Sequence, residues 1–269
     1  MRLVRFSIDE EESYGLIEDD VVEAIEGLPW EGIVTTGKEY SLDKVRLLPP
    51  VVPPAVWAIG LNYLAHAEEG GFPIPTEPVI FLKAASSVIG PDENIILPAM
   101  LPTEVDYEAE LAIVIGRPCK NVSQEEALDY VLGYTCGNDV SARDAQIKYD
   151  QQWARAKSFD TFCPIGPWIE MDLDGDNVDI SLKLNGKVMQ SSNTSDMIFP
   201  CAKVVSYLSQ IATLLPGTVI LTGTPSGVGV ARDPQVFMRP GDEVEVTIAG
   251  IGTLRNGVES DSITKEVDE

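Results

Sequence analysis

Asp106, Glu108 and Glu110 alternate with Tyr107, Ala109 and Leu111 in a stretch that continues as Ala112-Ile113-Val114-Ile115. Successive side chains of a strand point to opposite faces, so carboxylates two residues apart share a face. Like charges in a row repel one another unless a cation sits among their oxygens. Mg2+ and Mn2+ are hard ions that take oxygen ligands. Asp139, in Gly137-Asn138-Asp139-Val140-Ser141-Ala142-Arg143-Asp144, stands where an apolar run meets a polar turn. It could close a shell begun by Glu108 and Glu110. Three carboxylates would leave positions on an octahedral ion for water and a bidentate substrate. Spacing alone is equally compatible with glutamates that face solvent and an aspartate that caps a turn.

His66 is the single histidine, in Asn62-Tyr63-Leu64-Ala65-His66-Ala67-Glu68-Glu69. In a helical turn Glu69, at i+3, falls on the same face and could orient the imidazole and raise its basicity. Such a pair can activate water. A surface helix with one histidine is the simpler reading of these residues alone. Lys83 in Ile80-Phe81-Leu82-Lys83 and Lys157 in Arg155-Ala156-Lys157-Ser158 are cations beside apolar residues. They could bind an anion or an enolate, or they could be salt-bridge partners. The glycine-rich segment Leu221-Thr222-Gly223-Thr224-Pro225-Ser226-Gly227-Val228-Gly229 offers backbone amides to a carboxylate. It lacks the Gly-Lys-Ser/Thr of a phosphate loop, and the dinucleotide and serine-hydrolase glycine motifs are also missing.

These residues need elements to place them. Strands are predicted at Leu3–Ile8, Tyr14–Ile17 and Val21–Ile25, before a proline-rich break at 48–54. The break divides a small β-rich unit, 1–54, from a larger one, 55–269. In the larger unit, strands are predicted over Val56–Gly60, Val79–Lys83, Tyr107–Ile115, Tyr134–Val140, Val219–Thr222 and Glu243–Ile248. Asn62–Glu69 reads as a helical turn and Gly70–Pro75 as a loop able to act as a lid. Ser123-Gln124-Glu125-Glu126 looks like a helix start, and the helix is expected to run through Leu132 to Gly133. Ala202–Leu208 reads as a further helix. Asn185-Gly186 between two short strands is a strong hairpin signal. Strands outnumber helices, so an α+β, mostly β architecture is expected, not a βαβ sheet.

The bulk composition excludes several functions. The 269 residues carry 19 Lys plus Arg against 43 Asp plus Glu, a formal net charge of -24. That argues against nucleic acid, which selects a basic face, and against anionic membranes. No apolar run approaches the ~20 residues of a membrane helix. The N-terminus has no signal-peptide core, so a cytoplasmic protein is expected. The four cysteines are scattered and support neither a zinc site nor a disulfide framework. An acidic coat of this size is what a high-salt cytoplasm would select.

Taken in order, the segments resemble the fumarylacetoacetate hydrolase family over most of residues 55 to 256. The matching pieces are Ile59-Gly60-Leu61-Asn62-Tyr63 with His66, Asp106-Tyr107-Glu108-Ala109-Glu110-Leu111, Asn138 to Asp144, Ala156-Lys157-Ser158-Phe159-Asp160, Asn185-Gly186 with Gln190, and Thr222 to Gly229. Residues 1–50 resemble the short N-terminal domain of prokaryotic members. The resemblance implies a mixed β-roll and a Mg2+ or Mn2+ ion on Glu108, Glu110 and Asp139, with Asp106 in a supporting place. It implies a His66–Glu69 dyad on a lid and Lys157 near the bound oxo acid. Arg143, Gln146 and Thr224 match substrate contacts, and Lys83 matches a lysine close to the site. Homodimers are the family's usual state. The implied activity is hydrolysis of a C–C bond in 2,4-dioxo acids. Isomerase or hydratase action on unsaturated dioic acids, oxaloacetate decarboxylation and a non-catalytic binding role are the alternatives.

Overall fold

The computed structural model describes residues 1–261. Its strands form two main sheets. The larger runs, edge to edge, through Thr35–Ser41, Val21–Ile25, Glu11–Glu18, Arg2–Ile8, Cys163–Glu170, Val131–Asn138, Ala109–Ile115, Val219–Leu221, Val56–Gly60 and Val79–Lys83. The smaller orders Lys187–Asn193, Asp179–Leu184, Glu243–Ile248, Gly252–Ser260 and Ile95–Leu97. The architecture is mostly β and mixed, because Val219–Leu221 runs parallel to Val56–Gly60 while most other neighbours are antiparallel. The N-terminal strands extend the larger sheet, with Leu3 paired to Ile169.

The Ala109–Ile115 strand lies at the centre and every residue of it is buried. Its two faces serve two cores, as the period of two dictates. Leu111 and Ile113 pack with Leu182, Val246 and Leu254 of the smaller sheet. Ala112 and Val114 pack with Val56, Val219 and Ile165. Glu110 therefore heads the second face, at the end of the strand where that face opens to a cavity.

Two expectations need correction. The predicted Tyr107–Ile115 strand begins only at Ala109, and Val105–Asp106 forms a separate short pairing with Ser141–Ala142. Side chains break the ladder: Asp106 Oδ1 accepts the Tyr107 N–H at 2.9 Å and Asn138 Oδ1 the Glu108 N–H at 3.0 Å. The helix expected from Ser123 to Leu132 is a short turn, Gln124–Ala127, followed by a tighter turn over Leu128–Tyr130. Val131 already belongs to the sheet, opposite Ile115, and that pairing outweighs local helix preference. The Ser123 hydroxyl caps no backbone amide and lies 3.3 Å from the Glu126 carboxylate. The strand expected over Tyr134–Val140 spans Val131–Asn138, and the other elements lie close to expectation. Asn185 (φ 52°) and Gly186 (φ 75°) make the hairpin turn between Asp179–Leu184 and Lys187–Asn193. The helix predicted over Ala202–Leu208 is longer, Cys201–Ile211.

Candidate active site

Antiparallel pairing brings the carboxylates together. Ala109 sits opposite Asn138, so Glu108, just before one strand, meets Asp139, just after the other. The Asp139 N–H donates to the Glu108 carbonyl at 2.9 Å. One carboxylate oxygen from each of Glu108, Glu110 and Asp139 lies within 4.8 Å of the other two, and all three residues are buried. Glu110 is fixed by the Gly223 N–H, which donates to Oε2 at 2.7 Å. Gly223 has φ +100°, and a Cβ there would stand 2.7 Å from the Asn62 Cβ. Buried Asn62 ties the surrounding turns together, donating to the Thr222 carbonyl at 2.7 Å and accepting the Phe199 N–H at 2.8 Å.

Three cations surround the cluster. Lys157 Nζ bridges Glu108 Oε2 at 2.7 Å and Asp139 Oδ2 at 2.6 Å. Arg143 holds Glu108 Oε1 through Nη2 at 2.6 Å, Asp106 Oδ2 through Nε at 2.8 Å and Gln146 Oε1 through Nη1 at 2.8 Å. Lys83 donates to Asp139 Oδ1 and to the Val140 carbonyl. Its side chain is fully buried behind Asp139 and is not part of the cavity lining, so the contact it makes is with a carboxylate and not with the cavity. Removing one partner of a buried pair of this kind costs about 3–5 kcal/mol, because a charge is left unpaired.

Burial penalises the Glu108 carboxylate, but Lys157 and Arg143 outweigh that penalty and hold its pKa below the ordinary range. Glu110 behaves oppositely. Burial pushes its pKa well above the ordinary value, and the charges of Asp139 and Glu108 add to the rise. No cationic side chain bonds Glu110 among the described residues. Lys157 loses to burial but gains more from Asp139 and Glu108, and stays protonated. Glu110 is therefore the carboxyl without a cationic partner in a cluster made only of hard oxygen donors. That donor set and that missing positive charge fit a divalent ion of the Mg2+ or Mn2+ type.

Asp106 does other work. Its carboxylate accepts the Gly229 and Val230 N–H groups at 2.8 and 3.0 Å and the Arg143 guanidinium, with no exposure to solvent. It anchors the glycine-rich loop to Arg143. A Cβ at Gly229 would meet the Val236 carbonyl at 1.8 Å, so the loop needs glycine there.

His66 and Glu69 lie on the Leu64–Gly70 helix, which Gly71 ends in the left-handed region. The imidazole Nδ1 is 3.1 Å from Glu69 Oε2, and Glu69 Oε1 accepts the Gly227 N–H at 2.8 Å. The side chains are 16% and 22% exposed, as suits groups at the edge of a cavity. That cavity, about 570 Å3, is lined by the three carboxylates, His66, Arg143, Gln146, Lys157 and Thr224. Thr224 Oγ1 accepts from Gln190 Nε2 at 2.8 Å, while Gln190 Oε1 takes the Ala109 N–H at 2.8 Å. One glutamine thus couples the loop to the carboxylate strand. Glu108, Glu110, Asp139, His66, Arg143, Gln146, Lys157 and Thr224 share one cavity, while Lys83, Glu69 and Asp106 stand one bond behind it. The sequence reading missed Phe72, Phe81 and Trp153 in the cavity wall. A tryptophan in the polar run Asp150-Gln151-Gln152-Trp153-Ala154-Arg155 was the available signal.

Known proteins resemble this chain in sequence and fold. The family model described as fumarylacetoacetate (FAA) hydrolase, C-terminal, matches residues 55–259, and one described as Rv2993c-like, N-terminal, matches residues 1–50. A mitochondrial oxaloacetate tautomerase of Bos taurus is 46% identical over 220 residues, covering 80% of this chain and 70% of the relative. The crystal structure of a 5-carboxymethyl-2-hydroxymuconate delta-isomerase from Mycobacterium smegmatis superposes with a TM-score of 0.89 at 46% identity, covering 97% of this chain and 100% of the other. A fumarylacetoacetate hydrolase from psychrophilic Exiguobacterium antarcticum superposes with a TM-score of 0.87 at 34% identity, with the same coverage.

Proposed function

The chain belongs to the fumarylacetoacetate hydrolase family, and from that premise we propose that it cleaves a C–C bond of 2,4-dioxo acids with water, in a reaction that depends on Mg2+ or Mn2+. The observation that carries this reading is His66, bonded to Glu69, on the same cavity as the carboxylate cluster. A Mg2+ or Mn2+ ion bound by Glu108, Glu110 and Asp139 would supply Lewis acidity toward the carboxylate and 2-oxo oxygens of the substrate.

The chain's own residues do the rest. Glu69, fixed by the Gly227 amide, accepts the Nδ1 proton of His66 and leaves Nε2 free as a base. Nε2 takes a proton from water, and the oxygen adds to the C4 carbonyl of the substrate. The C3–C4 bond breaks, its electron pair stays on C3, and the acyl part leaves as a carboxylic acid. The charge that develops on the pyruvate enolate lies toward the ammonium of Lys157 and the guanidinium of Arg143. The His66 imidazolium returns its proton to C3, which gives pyruvate and restores the base. Gln146 and Thr224 offer the substrate polar contacts at the cavity wall. Lys83 keeps Asp139 in position from behind.

A second reading is supported by the Bos taurus relative, whose name is oxaloacetate tautomerase. The same His66 could move a proton between C3 and the enol oxygen of a 2-oxo acid with no water consumed. Incubation with Mg2+ and acetylpyruvate separates the two. Hydrolysis releases pyruvate and acetate in equal amounts. Absence of pyruvate, together with faster keto–enol exchange of oxaloacetate, would replace the hydrolase with the tautomerase. A homodimer in the cytoplasm is part of the proposal.

A further inference from the structure

The cavity has two chemically distinct ends. At one lie the carboxylate cluster, Lys157 and Arg143. The rest of the lining is mostly an apolar wall. The Lys157 Nζ stands 5.2 Å over the Phe81 ring, and Phe81 meets Trp153 edge-on with centroids 5.4 Å apart. The Trp153 indole lies so close to Gly60 that a Cβ there would be 2.7 Å from the ring, and that same Cβ would be 3.6 Å from Val79. Phe72 and Ile147, 57% and 62% exposed, complete the wall toward solvent.

Among the described residues, no cation is free along this wall. Lys157 and Arg143 are the lysine and arginine of the lining, and both are engaged by Glu108, Asp139 and Asp106 at the opposite end. Lys148 and Arg155, which flank Ile147 and Trp153 in the chain, are paired with Glu104 and Asp150. A carboxylate placed against Phe81, Trp153 and Ile147 would lose hydration and gain no partner. The net charge of -24 adds a long-range penalty for each extra negative charge on a ligand.

We propose that the Phe81–Trp153–Ile147 wall is a specificity-determining subsite that selects 2-oxo acids with an apolar tail and rejects those that end in a second carboxylate. The proposal rests on the reading that the carboxylate-cluster end takes the 2-oxo-acid head. It sets this chain apart from the 5-carboxymethyl-2-hydroxymuconate isomerase it resembles in fold, whose named substrate carries an additional carboxylate.

The test is a matched pair, 2,4-dioxoheptanoate and 2,4-dioxoheptanedioate, which differ only in a terminal methyl against a carboxylate. Dissociation constants come from calorimetric titration of the full chain with Mg2+, and turnover is measured in parallel. The expected result is at least about tenfold tighter binding of the monoacid, the scale on which an apolar pocket discriminates. In Ile147→Lys, whose position at the mouth tolerates a polar side chain, the ratio should fall by about tenfold. Equal affinities, a tighter diacid, or binding of neither compound would overturn the subsite. Selective binding of the monoacid without any pyruvate release would sink the hydrolase reading and leave the subsite standing.

Discussion

Asp106, Glu108 and Glu110 are equivalent by periodicity, yet the fold gives each a different neighbourhood. Asp106 is spent on backbone amides and Arg143, Glu108 is neutralised by Lys157 and Arg143, and Glu110 receives one amide and no cation. The raised pKa of Glu110 has a consequence for the metal-free protein. A carboxyl whose folded pKa lies above its unfolded value contributes stability that is fully present below the unfolded value, ~4.3, and is lost as pH rises through the folded one. Glu108 has the opposite sign: its contribution is present above the unfolded pKa and is lost as pH falls through the depressed one. In the presence of a chelator, Glu110→Gln should therefore be more stable than the parent at pH 8. The difference should shrink toward pH 4, as read from urea unfolding at each pH. A constant difference across that range would remove the electrostatic account of Glu110. Such neighbourhoods were not legible in the sequence, because Lys157, Arg143 and Gly223 come to the carboxylates from distant parts of the chain.

Among the elements, the glycine-rich loop and the Leu64–Gly70 helix are joined by the Gly227–Glu69 bond, which fixes the carboxylate beside His66. Gly227 has φ +102°, and a Cβ there would stand 2.3 Å from the Met189 carbonyl. Gly227→Ala must strain or shift the loop, at a cost of about 1–3 kcal/mol. It should lower kcat more than it lowers metal binding, since the loop's bond to the carboxylate cluster, Gly223 on Glu110, is separate. Calorimetric Mg2+ affinity beside kcat would check this, and a parallel loss of both would mean that the loop moves as one piece. The elements themselves were mostly readable. The hairpin at Asn185-Gly186 was fixed by local turn chemistry, and the apolar runs marked the central strands. Tyr107–Ile115 and Ser123–Leu132 were misjudged because the deciding contacts are tertiary: Asn138 capturing the Glu108 amide, and Ile115 pairing with Val131. Trp153 and Phe81 come from separate segments, and only the tryptophan in a polar run hints locally at the wall they form.

At the scale of the whole molecule, the net charge of -24 sets the terms of stability and encounter. Self-repulsion of surface carboxylates is screened by salt, with a Debye length of ~10 Å at 0.1 M and ~3 Å at 1 M. The melting temperature should rise between low and molar KCl, and a flat profile would count against an acidic surface adapted to salt. Two sheets share the central strand's cores, and the cavity opens where that strand begins, so the site is built on the most buried part of the fold. No helix among the described residues is long and apolar enough to cross a membrane. The central claim is that the carboxylate cluster holds the cation while the His66–Glu69 pair moves the proton. The most direct test is His66→Ala, assayed for Mg2+-dependent thermal stabilisation and for pyruvate release from acetylpyruvate. The account predicts an unchanged Mg2+-dependent rise in melting temperature with turnover reduced by about 10²–10⁴-fold. Retained turnover, or loss of the Mg2+ effect together with turnover, would contradict it.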